Sequence, residues 1–274
     1  MIPFNFAYYR PDSLTEAVSA YREAQEAGLD PVYYGGGTEI VTFCRSGSMK
    51  PGAVIDIKRI PECTALDEAD GAHVFGAALA LNTIIDDERW PLLAQVATIV
   101  DHTVRNRLSL GGNIAGRLPY RETVLPFLLV DSRARLAGPE GERDVALEEV
   151  FDRRLKLAPG ELLVSLSVPS AVTELPWFYR RRVRKTRLDY PILTACCIKT
   201  EGRVRMATTA AYGFPLRSKA AGEIINDGSQ SSQARAEAAV DADGLRIADN
   251  QRATGAYRRA LLVSTISEAL DVLR

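Results

Sequence analysis

The sequence predicts an α+β fold, and three observations support this class. Strand and helix patterns alternate over residues 1–57, as in a small α/β unit. A strand, a Gly-Pro-Glu-Gly turn and a return strand are predicted within residues 128–143. Three strand patterns and then helical patterns occupy residues 171–274. We therefore expect three parts: a small unit at 1–57, a larger α+β unit at 58–170 and a C-terminal unit at 171–274.

The first part begins with a predicted strand at residues 4–9. Ser13 and Glu16 form a capping-box pattern ahead of a helix that reaches about Ala27, and Gly28 is a stop signal for it. A short strand at 31–34, a helix that begins near Glu39 and an apolar strand at 54–57 follow. The glycines at 35–37 are thus expected where a strand passes into a helix.

The second and third parts are predicted from the alternation of apolar and polar residues and from proline and serine residues that end the strands. Apolar residues at 162, 164, 166 and 168 alternate with smaller or polar ones, which predicts a half-buried strand. Pro169, Ser170 and Pro176 mark the boundary that follows. Further expected strands are 73–77, 133–136, 177–185, 192–200 and 204–212, and expected helices are 91–100, 230–243 and 254–273.

Composition excludes several classes of protein. Hydrophobic residues at 46% and charged residues at 25% are average for a globular protein. A formal net charge of −1 argues against binding nucleic acid through bulk electrostatics. No apolar run approaches the roughly 20 residues that span a bilayer, and the first residues lack a signal-peptide pattern. We expect a cytoplasmic protein with no nucleic-acid partner and no membrane span.

Metal and hydrolytic sites are not predicted. The four cysteines, Cys44, Cys63, Cys196 and Cys197, lack the spacing of a zinc or iron–sulfur site, so we expect buried free thiols. His73 and His102 have no neighbouring pattern of a catalytic triad. No catalytic residue and no metal ligand is therefore assigned to this chain.

Two glycine-rich stretches stand out: YYGGGTEI at 33–40 and RNRLSLGGNIAGRLPYRE at 105–122. The first is predicted to lie before a helix N-terminus, whose unpaired amides favour phosphate. In the second, consecutive glycines followed by Asn113 predict a turn whose amides form an anion-binding concavity. Neither stretch has the GxGxxG order of the nicotinamide fold or the GxxxxGK order of a P-loop. Each is also explained by a plain turn, but together they fit the two phosphates of a dinucleotide.

These stretches resemble the FAD-binding subunit of the molybdenum hydroxylases, the family of xanthine dehydrogenase and aerobic carbon monoxide dehydrogenase. GGGTE at 35–39 is similar to the family's AGGTD loop, and 105–122 is similar to its RNxxTIGGNxAxxSPxxD loop, without a gap. Glu39 and Glu122 stand where the family usually has aspartate, and Leu118 stands where it usually has serine. The loss of the hydroxyl at 118 removes one hydrogen bond, which implies a lower affinity for FAD.

The resemblance implies FAD as cofactor and a two-subdomain FAD-binding fold of the vanillyl-alcohol-oxidase type, followed by a C-terminal three-stranded antiparallel sheet with helices. It also implies a molybdopterin-binding large subunit and a small subunit with 2Fe–2S clusters as partners. Electrons would pass through FAD to NAD or another acceptor. The implied cofactor-binding residues are Tyr33, Tyr34, Gly35, Gly36, Gly37, Thr38, Glu39, Ile40, Ser109, Gly111, Gly112, Asn113, Pro119, Glu122, Leu162 and Lys185.

Some alternatives stay open. Arg105 and Asn106 are expected to support the second glycine loop rather than bind the cofactor. The basic run at 180–187 fits a solvated strand face, a docking surface for an acidic partner, or a contribution of Lys185 to the cofactor site, with Asp189 and Tyr190 passing the flavin. The chain is alternatively an assembly subunit with weak FAD binding, or a self-contained flavin oxidase.

Overall fold

The computed structural model describes residues 2–186 and 188–274, so Arg187 of the basic run lies outside the described residues. The chain divides into two compact units. The N-terminal unit comprises the residues up to 86 together with 101–117 and 131–170. The C-terminal unit comprises 87–100, 118–130 and 171–274. The finer division into parts ending at 57 and 170 stays a prediction.

A small parallel sheet opens the N-terminal unit, with strand order β1-β3-β2. Ser13 Oγ accepts a hydrogen bond from Glu16 N at 3.2 Å and begins the first helix, while the Glu16 carboxylate reaches Asp12 N instead of closing a capping box on Ser13. Gly28 follows this helix with φ +75°. The elements are β1 (Ala7–Tyr9), α1 (Leu14–Glu26), β2 (Pro31–Tyr34), α2 (Thr38–Ser46) and β3 (Ala53–Asp56).

A five-stranded antiparallel sheet forms the rest of this unit, with strand order β4-β5-β10-β6-β7. The hairpin between β6 and β7 turns at Gly138 and Gly141, where the sequence predicts it. The main elements are α3 (Pro61–Thr64), β4 (Leu66–Ala69), β5 (Ala72–Gly76), α4 (Leu81–Asp87), α6 (His102–Arg105), α7 (Leu110–Ala115), β6 (Arg133–Gly138), β7 (Gly141–Ala146), α9 (Leu147–Val150), the short pair β8 (Phe151–Asp152) and β9 (Arg154–Leu155), and β10 (Leu162–Pro169).

The strand β10 is buried on both faces, which corrects the half-buried strand predicted from alternation. Its first five residues, including Ser165, are all buried. Because β10 is the central strand of the sheet and contacts both α3 and α7, its small polar residues lie inside the fold rather than in solvent.

The C-terminal unit confirms the predicted three-stranded antiparallel sheet, with order β11-β12-β13. Helices α10, α11 and α12 contribute with this sheet to one apolar core, and α5 and α8 also contact its strands. The helix α10 is absent from the sequence prediction. The elements are α5 (Pro91–Ala97), α8 (Val124–Leu129), β11 (Trp177–Val183), β12 (Pro191–Thr200), β13 (Arg203–Thr209), α10 (Lys219–Ile225), α11 (Ser232–Val240) and α12 (Gly255–Val272).

Three arginines of the basic run, 180–182, are ion-paired within the C-terminal unit. Arg180 and Arg182 lie against the carboxylate of Glu268 on α12. Arg181 points to the other side of the strand and pairs with Glu122 at 2.8 Å. Arginines 180–182 therefore pair with carboxylates of their own unit, which argues against a free docking surface on β11.

Two further expectations concern the described residues. All four cysteines are free and buried, as predicted. Within residues 2–186 and 188–274, no helix has both the length and the apolar character required to cross a membrane.

Candidate functional site

The two glycine stretches lie directly against each other in the N-terminal unit. Gly36 N donates a hydrogen bond to Ser109 Oγ at 3.1 Å. A Cβ atom on Gly36 would lie 1.7 Å from the Arg107 carbonyl oxygen, and one on Gly35 would lie 2.7 Å from Ser109 Oγ. No side chain fits between these two backbones. Glycine is required here because one segment of the protein approaches another closely.

The first stretch ends at the start of α2, a helix without a side-chain cap. Gly37 is the N-cap with φ +69°, and it supplies no side-chain hydrogen bond to the helix. The first helical hydrogen bond runs from Val41 N to Gly37 O at 2.9 Å, so the amides of residues 38–40 precede it. Such amides, together with the positive end of the helix dipole, form a site for an anion.

The second stretch has a different structure from the one predicted. Gly111, Gly112 and Asn113 lie inside α7, and their amides already have protein acceptors. Gly111 N donates to Ala77 O at 2.8 Å, Gly112 N to Ser109 Oγ at 3.2 Å and Asn113 N to Ser109 O at 2.9 Å. The predicted anion-binding concavity at these amides is therefore wrong, because Ser109 and the backbone near Ala77 take up their hydrogen bonds.

Two cavities flank the contact between the stretches. One has a volume of about 210 Å³ and is lined by the start of α2, by Phe43 and Met49, and by the segment from Leu108 to Arg117. The other has a volume of about 120 Å³ and extends towards Glu161, Leu162 and Leu163. Both cavities share a common wall of residues: Tyr33, Gly35, Ser109, Gly112 and Ala115.

Tyr33 is a fixed part of this common wall. Its ring stacks on Tyr21 with centroids 4.8 Å apart, and its hydroxyl donates to Gly160 O at 2.9 Å. Burial, and secondarily the neighbouring Tyr21, raise the pKa of Tyr33 well above that of an exposed phenol. The hydroxyl therefore stays protonated and acts as a hydrogen-bond donor at neutral pH.

A polar network behind the first stretch includes residues that sequence reasoning missed. Lys58 Nζ donates to Gly35 O at 3.0 Å and pairs with Asp56 Oδ1 at 2.8 Å. Tyr8 donates to the other oxygen of Asp56 at 2.5 Å, and Lys58 Nζ lies 4.3 Å from the centroid of the Tyr34 ring. The pKa of Asp56 is lowered: burial alone would raise it, but the hydrogen bonds from Lys58 and Tyr8 outweigh that effect.

Glu39 connects the two stretches at the rim of the larger cavity. Its carboxylate accepts a hydrogen bond from Arg117 N at 2.6 Å, just beyond α7. The Arg117 guanidinium lies 5.7 Å from the centroid of the Phe43 ring on α2. These contacts give Glu39 a structural role between α2 and the end of the second stretch.

Arg105 and Asn106 contact Asn82, in keeping with a supporting role. Arg105 Nε donates to Asn82 Oδ1 at 3.0 Å, and Asn82 Nδ2 donates to Asn106 Oδ1 at 2.7 Å. Arg105 and Asn82 are both buried. This network anchors the backbone that leads into Ser109.

The predicted site residues divide between the units. Tyr33, Gly35 to Ile40, Ser109, Gly111, Gly112 and Leu162 line one or both cavities, while Tyr34 and Asn113 are half-buried beside them. Pro119, Glu122 and Lys185 belong to the C-terminal unit and are not among the residues that line these two cavities.

Glu122 is engaged inside the C-terminal unit. Its carboxylate, only 3% exposed as a residue, accepts hydrogen bonds from Arg181 Nε at 2.8 Å and Thr194 Oγ1 at 2.6 Å. Pro119 O accepts from Thr209 Oγ1 at 3.3 Å, and the exposed Lys185 donates its amide to Asp189 at 2.8 Å. A cofactor contact of these three residues stays a prediction.

Comparison with known proteins identifies one family. The family model described as the FAD binding domain in molybdopterin dehydrogenase matches residues 4–171. The carbon monoxide dehydrogenase medium chain of Hydrogenophaga pseudoflava is 29% identical, over 99% of this chain and 98% of its own length. The 6-hydroxypseudooxynicotine dehydrogenase complex subunit alpha of Paenarthrobacter nicotinovorans is 26% identical, over 100% and 97%.

A solved structure agrees over the whole chain. It is carbon monoxide dehydrogenase from Hydrogenophaga pseudoflava in a form that lacks the Mo-pyranopterin moiety of the molybdenum cofactor. It superposes with a TM-score of 0.88 at 28% identity and covers 100% of this chain and 98% of that chain.

Proposed function

This chain belongs to the FAD-binding domain family of the molybdopterin dehydrogenases, and on that basis we propose that it is the FAD-binding electron-transfer subunit of a multi-subunit molybdenum hydroxylase. The resemblance found in the two glycine stretches is thereby confirmed, and with it FAD as the cofactor. When bound, FAD supplies the electron-transfer chemistry, while the protein binds it, orients it and sets its surroundings.

The residues of the N-terminal unit fit a dinucleotide. The start of α2 offers amides of residues 38–40 without a side-chain cap, which suits a phosphate group. The glycines of both stretches remove side chains at the contact, and two cavities flank it with a common wall. The single observation that carries the proposal is this uncapped helix start beside the Gly36–Ser109 contact.

The two stretches then have separate tasks. We assign the diphosphate to the start of α2, with the amides of Thr38 and Ile40 as backbone donors. Ser109 and Gly112 form the wall opposite, and Tyr33 and Leu162 form the apolar part of the second cavity. No side chain of this chain is assigned a role as general acid or base.

The subunit would work with two partner subunits and a terminal electron acceptor. Relatives named as medium chains or complex subunits support a molybdopterin-binding large subunit and a small 2Fe–2S subunit as partners. NAD is one acceptor and another electron carrier is the alternative. Oxidation of the substrate would take place in the large partner, as in a xanthine dehydrogenase-like assembly, and the chain would act in the cytoplasm.

The visible spectrum of the purified full chain, before and after addition of FAD, tests the proposal. We expect the purified chain to show a flavin absorption spectrum. Heat denaturation should then release about one FAD per chain. Adding NADH to the loaded chain tests the acceptor, because bleaching of the flavin band is expected only if NAD exchanges electrons with this site. A chain that stays colourless with excess FAD contradicts flavin binding by the isolated subunit.

A second candidate is an assembly subunit of the same complex with weak FAD binding. Leu118 motivates it, because it is 40% exposed and has no hydroxyl where the resembled loop has serine. The substitution L118S separates the two candidates. If Leu118 weakens FAD binding, as the second candidate requires, L118S should raise the affinity for FAD a few-fold. Equal affinity of both forms for FAD supports the first candidate.

A further inference from the structure

The peptide unit that joins Gly35 to Gly36 is held from both sides. Its carbonyl oxygen, on Gly35, accepts a hydrogen bond from Lys58 Nζ at 3.0 Å. Its amide, on Gly36, donates to Ser109 Oγ at 3.1 Å. Because the C=O and N–H groups of a trans peptide point in opposite directions, the two side chains fix one orientation of this unit.

Lys58 is itself held in place by its surroundings. Its ammonium pairs with Asp56 Oδ1 at 2.8 Å, and the Asp56 side chain is only 5% exposed. The Tyr34 ring lies 4.3 Å from Nζ, and the same ring leaves no room for a Cβ on Gly37. Tyr34 and Asp56 are register partners at the ends of the parallel strands β2 and β3, so both strands deliver these groups to one edge.

The orientation matters for an anion because of where the two ends of the peptide point. The amide end faces Ser109, which lines both cavities. The carbonyl end faces Lys58, which is among the lining residues of neither cavity. A rotated Gly35–Gly36 peptide would turn a partial negative charge towards Ser109 and the larger cavity, which the start of α2 also lines. Two successive glycines allow such a rotation at little cost in backbone dihedral energy.

We propose that Lys58, oriented by Asp56, is a positioning residue for cofactor binding that keeps the Gly35 carbonyl turned away from the anion site at the start of α2. This inference rests on the proposed function for its consequence, but the peptide orientation itself belongs to the chain without cofactor. Lys58 makes no contact with the reacting part of the flavin in this proposal.

Amide hydrogen exchange of the full chain without FAD tests the orientation directly. We expect K58M to accelerate exchange of the Gly36 amide about tenfold, since a charge-assisted hydrogen bond stabilises by roughly 1.5 kcal/mol or more. K58R keeps the cation and is expected to restore protection. K199M removes a half-buried lysine of the C-terminal unit and serves as the matched control. S109A removes the acceptor and gives the reference for an unprotected Gly36 amide.

Exchange in strand β3, measured in the same experiment, distinguishes local release from unfolding. D56N provides a milder variant, which keeps Lys58 and is expected to act in the same direction and by less. Gly36 exchange at the wild-type rate in both K58M and D56N overturns the inference.

FAD affinity, followed by quenching of flavin fluorescence, tests the consequence. We expect the Kd of K58M to rise about tenfold, K58R to recover most of that loss, and K199M to match the wild type. Unchanged affinity in K58M also overturns the inference. Absence of FAD binding in the wild type is a different result: it contradicts the proposed function, while the exchange experiment still decides the role of Lys58.

Discussion

Replacing Glu122 with alanine is expected to destabilise the C-terminal unit, although the sequence places this residue in a cofactor-binding motif. The Glu122 carboxylate is 3% exposed as a residue and joins three elements: the segment before α8, Arg181 of β11 and Thr194 of β12. Arg181 is held further by a hydrogen bond from Nη2 to Asp189 O at 2.7 Å. The alanine variant removes the common acceptor of Arg181 and Thr194.

The size of the effect follows from burial. Removing one partner of a buried ion pair costs about 3–5 kcal/mol, because the other charge loses its compensation. The Arg181 side chain is 12% exposed and keeps its bond to Asp189, which places the expected loss near the lower end, at about 3 kcal/mol. The variant E122Q keeps the shape and the Thr194 contact, so we expect a loss of about 1–2 kcal/mol.

Both tryptophans of the chain, Trp90 and Trp177, lie in the C-terminal unit, so their fluorescence during urea unfolding reports on this unit. With a slope of about 1–3 kcal/mol per molar urea, E122A is expected to lower the midpoint by about 1–3 M. A cycle of E122Q, R181M and the double variant measures the coupling, which we expect to be about 2 kcal/mol.

Two results would refute this reasoning. One is a loss below about 1 kcal/mol in E122A with additive effects in the cycle, since a buried pair cannot then hold the three elements together. The other is a loss of FAD affinity at unchanged stability. That outcome would make Glu122 a cofactor contact, as the resemblance implies, rather than a support of β12.

Three further predictions concern the N-terminal unit. G36A places a Cβ 1.7 Å from Arg107 O, so we expect FAD affinity to fall at least tenfold, whereas G222A, with open space around it, should leave the affinity unchanged in the same titration. D56N should destabilise the chain more at pH 7 than at pH 3 in urea unfolding followed by circular dichroism, because a carboxyl with lowered pKa contributes stability above its ordinary pKa of about 4 and loses it as pH falls through the folded value. An equal effect at both pH values would contradict that. Burial, and secondarily Glu62, raise the pKa of Cys63 to about 12, so a thiol reagent at pH 8 should label it only as fast as the chain opens, and at once in urea.

Local signals in the sequence predict much of the N-terminal unit. Ser13 and Gly28 mark the ends of α1, and the turn between Gly138 and Gly141 fixes the hairpin. The helix α7 could not be predicted, because two consecutive glycines have poor helix propensity. It forms because Leu79 and Ala77 accept hydrogen bonds from the amides of its first residues, and these are contacts distant in sequence.

The candidate site also depends on contacts that are distant in sequence. The glycine stretches identify the first wall of the site, since their composition is unusual for packed structure. Lys58 and Ser109 act on the first stretch from 23 and 73 positions away, and no spacing rule links them to it. Asp56 is a charged residue at the end of an otherwise apolar, buried strand. This pattern indicates that the carboxylate has a buried partner.

The two glycine stretches look alike in sequence but have different roles in the structure. In the second stretch, Ser109 caps α7 and the amides of Gly111 and Gly112 are already bonded, so these glycines serve the packing of backbone against backbone. In the first, Gly37 caps α2 without a side chain, and the amides that follow precede the first helical bond. An anion binds at lower cost at a helix start without a side-chain cap, since no capping hydrogen bond must be broken first. Ser109 links the two tasks, because the hydroxyl that completes one helix start also holds the glycine loop of the other. A substitution there should therefore lower stability and FAD affinity together, whereas a change at Lys58 should affect the affinity more than the stability.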